Sequence, residues 1–135
     1  MQGVPARFDH GADRAEFRRP AHRGGVELYR AHIVRHAFEP HTHEAFGLGA
    51  IEQGVERFRY RGGEHLAPAD SLVLMNPDEL HTGRAETAGG WRYRMVYIDA
   101  DVVEDEEEDV RRIASPVVPA VVIVIAVRSH LTSPE

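Results

Sequence analysis

The sequence contains no cysteine. That excludes a disulfide framework, a thiolate metal site and a cysteine nucleophile, and it fits a reducing compartment such as the cytosol. Basic charge is scarce: 16 lysine and arginine residues stand against 22 acidic ones, for a net charge of −6. A chain that binds nucleic acid by itself usually shows the opposite excess, so direct DNA contact by this stretch is not expected. Long apolar runs are missing too. The longest, Val117 to Val127 with Pro119 inside it, falls well short of the roughly 20 residues of a membrane-spanning helix. The opening residues Met1 to Arg7 lack the apolar stretch of a secretory signal. A soluble, cytoplasmic protein with no membrane association is the expectation. Finally, no Ser-His-Asp order, phosphate loop, dinucleotide fingerprint or pair of acid–base carboxylates stands out. Catalysis therefore has few residues to rest on.

What is present is one domain's worth of chain: 135 residues, 42% apolar and 28% charged, enough to bury a core of ordinary composition. Residues 1–24 are rich in Arg, Gly, Ala and His with little periodicity, and read as a flexible N-terminal arm. Strand signals begin at Gly25 and recur through residue 98 with turns between them and no helical pattern intervening. The clearest is Trp91 to Ile98, where Trp91, Tyr93, Met95 and Tyr97 alternate with Arg92, Arg94, Val96 and Ile98. In Val55 to Arg61 the parity of Phe58 and Tyr60, shared with Glu56, reads as inward, and the row Arg57, Arg59 and Arg61 as a solvated face. The run Ser71 to Met75 is continuously apolar and strand-length, suggesting burial on both faces. Several short antiparallel strands at this spacing predict an all-β sandwich or barrel over 25–100, of a size that can enclose one small ligand. Residues 101–135 change character. A dense acidic run, Glu104 to Asp109, predicts a short solvated helix or a disordered linker, and the Val/Ile-rich close from Pro116 predicts an extra strand that pairs in the barrel or at a partner's edge.

Residues 40–54 organise the rest. His41 and His43 stand two apart, and in a strand such positions project to one face. An apolar run follows, and Glu52-Gln53-Gly54 reads as a hairpin turn. Further on come Pro68-Ala69-Asp70, the apolar run, Asn76-Pro77-Asp78 and then His81.

These two stretches resemble the two motifs of the cupin fold. The wording Asn-Pro-Asp-Glu-Leu-His at 76–81 and the strand Trp91 to Asp99 look more like the N-terminal sensing domain of AraC-family transcriptional regulators than like cupin enzymes. The chain departs from the pattern in three places. Gly47 and Leu48 stand where metal-dependent cupins carry a glutamate, Asp70 replaces a motif-two glycine, and nothing matches beyond about Val102. The resemblance implies a cupin-like antiparallel barrel, of jelly-roll type, that binds a small effector such as a sugar or small organic acid and forms a homodimer. It also implies that DNA is reached only through a helix-turn-helix domain this chain does not carry.

The candidate ligand-binding residues are His41, His43, Phe46, Phe58, Tyr60, His81, Trp91 and Tyr93. The plain alternative for the aromatics is core filling, as is usual in small barrels. His41, His43 and His81 are also the metal candidates, since three imidazoles can hold Zn, Fe, Ni or Cu with positions left open. Relatives that sense effectors keep histidines there without a metal, where they shape a rim, hydrogen-bond a ligand or cap turns. The expectation is a regulatory effector-binding domain, not an enzyme and needing no cofactor. The rival is a small metal-dependent cupin enzyme, an oxygenase or isomerase, built on the three histidines.

Overall fold

The computed structural model describes residues 5–21, 24–99 and 117–119. They form ten strands: β1 (Arg14–Arg18), β2 (Val26–Ile33), β3 (Phe38–His41), β4 (Ala45–Gln53), β5 (Val55–Tyr60), β6 (Gly63–Pro68), β7 (Ser71–Met75), β8 (His81–Ala85), β9 (Trp91–Asp99) and β10 (Val117–Pro119). No helix occurs among the described residues, so none there is long and apolar enough to cross a membrane. The strands make a six-stranded sheet in the order β1-β2-β9-β4-β7-β10 and a four-stranded sheet in the order β3-β8-β5-β6. Every pairing is antiparallel.

The core lies between the sheets and follows the alternation read from the sequence. On β9, flanked by β2 and β4, Trp91, Tyr93 and Tyr97 are buried while Arg94 is exposed. Tyr29, Ile33, Phe58 and Val73 are the largest fully buried side chains and come from strands of both sheets. On β5 the inward parity holds, with Glu56, Phe58 and Tyr60 buried. The outward Arg57 pairs with Glu86 at 2.6 Å and with Glu64 at 3.2 Å. On β7 only Ser71, Val73 and Met75 are buried; Leu72 and Leu74 lie half-buried on the outer face.

Besides the one-faced burial of β7, three sequence expectations need correction. First, residues 14–18 are not part of a flexible arm. They pair with β2 from Arg14–His32 to Arg18–Leu28. Phe17 turns inward with its ring 4.6 Å from that of Tyr29. Asp13, buried just ahead of the strand, accepts the backbone N–H groups of Val34, Arg35 and His36 at 2.5, 2.9 and 2.8 Å. A carboxylate accepting three amides ties the segment to the turn after β2, and the exposed arginines of β1 mask its alternation in the sequence.

Second, Glu52-Gln53-Gly54 is not a hairpin turn, because β4 and β5 belong to different sheets. The chain crosses between layers at Gly54, whose φ of +76° suits glycine. A Cβ there would overlap the carbonyl of Gly90, so the close approach also requires glycine. Third, β3 is a strand the sequence pattern does not signal, and His41 and His43 do not share a strand. His41 ends β3 and His43 lies in the link to β4. The expected acidic helix or disordered linker falls outside the described residues; within the tail, β10 pairs with β7 as an edge strand.

Candidate functional site

The site forms where the links around β3 and β8 meet the inner face of β9. His41 and His81 are direct partners in the β3–β8 ladder. The link carrying His43 is fixed by a bond from the Asp78 N–H to the His43 carbonyl at 2.8 Å. That bond comes from the Asn76-Pro77-Asp78 turn, where Asp78 takes a left-handed φ of 62°, a region Asp tolerates better than most residues. Asp70, which replaces the motif-two glycine, likewise has a φ of 67°. The departure therefore leaves the turn geometry intact.

The three imidazoles converge. Their ring centroids are 4.8 Å apart for His41 and His43, 4.3 Å for His41 and His81, and 4.9 Å for His43 and His81. One ring nitrogen of each lies within 4.8 Å of the other two. His41 Nδ1 lies 2.6 Å from the carbonyl of Glu39, and His81 Nδ1 lies 3.1 Å from that of Glu79. A carbonyl only accepts, so in the neutral rings Nδ1 carries the proton and donates, leaving the Nε2 lone pairs of both residues free. A backbone acceptor fixing tautomer and ring orientation is the usual support of a metal-ligating histidine. Burial, and after it the neighbouring His41, pushes the pKa of His81 down to about 4. That keeps it a neutral base at pH 7. The donor set thus fits a divalent ion, with His41, His43 and His81 as its ligands.

Around the histidines lies a small cavity of about 30 Å³, lined by Phe38, Glu56, Met75, Trp91, Tyr93 and Tyr97 among others. Trp91 and Tyr93 stack at 3.9 Å with an interplanar angle of 9°. The Tyr97 ring lies 4.9 Å from that of His43.

Of the eight residues singled out from the sequence, His41, His43, His81, Trp91 and Tyr93 line this cavity. Phe58 does not: it is a fully buried core residue stacked on His65 at 5.2 Å. Tyr60 sits behind the site. Its hydroxyl donates to Glu79 in a short bond, and its ring is 6.5 Å from that of His81. Phe46 is buried but belongs to the other parity of β4, opposite Ile98, and does not line the cavity.

The sequence reading missed Glu56 as a site residue, although its parity with Phe58 and Tyr60 was visible. Glu56 is 6% exposed and lines the cavity. Burial raises its pKa to about 8, so the carboxyl is mostly protonated at neutral pH.

Comparison with known proteins gives the context. The family model described as the AraC-like ligand binding domain matches residues 23–132. The uncharacterised HTH-type transcriptional regulator YbfI of Bacillus subtilis (strain 168) is 24% identical over 85 residues, covering 63% of this chain and 31% of the regulator. The chain therefore spans less than a third of that relative's length. Among solved structures, a cupin 2 conserved barrel domain protein from Salinispora arenicola superposes with a TM-score of 0.58 at 18% identity, over 69% of this chain and 81% of that one. KdgF from Halomonas sp. does so with a TM-score of 0.56 at 14% identity, over 72% and 90%. At these identities the structural likeness speaks for the fold, a cupin barrel. Given a match that extends from residue 23 to residue 132 of a 135-residue chain, this protein belongs to the AraC-like ligand-binding domain family.

Proposed function

We propose that this domain is the small-molecule sensing unit of an AraC-type transcriptional regulator, and that the three-histidine cavity is where its effector is read. The observation that carries the proposal is the convergence of His41, His43 and His81 on a cavity inside the barrel, next to the stacked Trp91 and Tyr93. Polar groups fixed by their own backbone and facing aromatic walls are what orients a small ligand. The cavity is far smaller than the roughly 300 Å³ at which drug-sized ligand pockets begin. A sugar or organic acid therefore extends beyond this space, whereas an ion is small enough for it. In a homodimer, effector binding biases the arrangement of the two copies. Output passes to DNA through a helix-turn-helix domain of the kind the regulator relative's name implies.

The donor set also favours a second reading, a metal-dependent cupin enzyme, since a divalent ion on three imidazoles supplies Lewis acidity. Two measurements on protein purified without an affinity tag separate the readings. Metal-free protein whose melting temperature rises saturably with one member of a panel of sugars and small organic acids supports the sensor. Near-stoichiometric metal that is lost in H81A, with no response to the panel, supports the enzyme.

A further inference from the structure

We propose that Glu56 is the fourth polar member of this site: from the lining of the same cavity it holds the oxygen atom, of water or of a small hydroxyl- or carboxyl-bearing ligand, on a divalent ion bound by His41, His43 and His81. The inference rests on the reading that the histidines bind such an ion. Four observations carry it. Glu56 lines the same cavity as the three histidines, on an inward position of β5 where its strand neighbours Phe58 and Tyr60 are core residues. Its carboxyl makes no hydrogen bond to a described residue, and its oxygens keep access to the cavity rather than being sealed in the core. A carboxyl that opens onto a cavity with no partner from its own chain is placed to hold a group that comes from outside it.

The neighbouring strand of the same sheet makes room for this group. A Cβ added at Gly83 on β8 would stand 3.0 Å from Glu56 Oε2, with Trp91 and Phe38 at 3.5 and 3.7 Å. Any larger residue there would push the carboxyl aside. Trp91 Nε1, which lines the same cavity, is buried with no hydrogen-bond partner among the described residues.

The geometry separates the role of Glu56 from that of a direct ligand. The cluster of mutually close donor atoms consists of the three imidazoles without Glu56. The cavity of about 30 Å³ has room for water-sized occupants. An oxygen held between the ion and the carboxyl gives Glu56 its partner. Carboxyls that act through a bound oxygen or ligand typically change metal affinity by about 10- to 100-fold when removed.

The test is a cobalt(II) titration of the tag-free full chain, followed by visible absorption, for the parent protein and for H81A, E56Q and G83A. Each variant is first checked for an unchanged far-ultraviolet circular dichroism spectrum. The expected result is saturable binding that is lost in H81A and about 10- to 100-fold weaker in E56Q, with altered cobalt absorption bands. G83A places a methyl group against the carboxyl without changing any polar group, and it weakens binding in the same direction. If the parent takes up no cobalt, the metal reading of the histidines falls and this inference with it, while the effector reading keeps its own test. If the parent binds and both E56Q and G83A match its affinity and spectrum, the role of Glu56 is overturned and the histidine reading stands.

Discussion

Met95 on β9 occupies the space that a side chain on Gly49, its direct partner on β4, would need. The two residues face each other in the ladder, and a Cβ on Gly49 would overlap Met95 Sδ. A strand glycine ordinarily costs stability, so its presence here reflects packing against the neighbouring chain. Gly49→Val is expected to destabilise the domain by about 1–3 kcal/mol through overpacking. Met95→Ala should relieve part of that. Urea unfolding of the two single variants and the double variant checks it, with a coupling energy of at least about 1 kcal/mol expected for residues in contact.

Asp13 is the clasp of the N-terminal strand. Burial would raise the pKa of its carboxyl, but the bonds from Arg35, Val34 and His36 together outweigh that and hold it below the usual value of 3.8. A depressed carboxyl contributes stability that is fully present above its unfolded value and is lost as pH falls through the folded one. Asp13→Ala is expected to cost about 2 kcal/mol at neutral pH. Faster exchange of the amide protons of Val34, Arg35 and His36, with little change on β9, is the accompanying sign by nuclear magnetic resonance.

Glu56 and His81 give the pH dependence opposite slopes. The folded pKa of Glu56 is raised to about 8 from 4.5, so the unfolded chain sheds this proton first. Its effect on stability is absent below pH 4.5 and becomes increasingly unfavourable as pH climbs towards 8. His81 is depressed to about 4 from 6.5, so its contribution is complete above pH 6.5 and fades as pH drops towards 4. Melting temperatures from pH 4 to 8 check the signs in metal-free protein. The expected outcome is that Glu56→Gln gains stability over the parent at pH 8 and not at pH 4. An equal offset at both ends contradicts the assignment of this slope to Glu56.

The sequence made the barrel legible through β9, whose aromatic alternation survives intact in the fold, and through the two histidine-bearing stretches that meet in space. Two strands were hidden. β1 shows mostly arginine at its exposed positions, and β3 is four residues long with Pro40 inside it. Phe46 misled for a physical reason. The inward positions of β4 include Gly47 and Gly49, left small because Met95 and Tyr97 fill that space from β9. The strand's largest apolar side chain, Phe46, sits with Leu48 on the outer parity, so its bulk points to the wrong face. Glu56 escaped notice because a charged residue on an inward parity was attributed to its aromatic neighbours.

Trp91 is the only tryptophan in the chain and stands in the wall of the cavity. Its emission therefore reports occupancy of the three-histidine site directly. The decisive measurement is tryptophan fluorescence of the tag-free chain titrated with zinc(II) and with a panel of sugars and small organic acids, in the parent and in H43A. A saturable change with at least one of these in the parent, abolished in H43A, is the expected result. Flat emission throughout, or a change that persists unaltered in H43A, contradicts a binding site at these histidines.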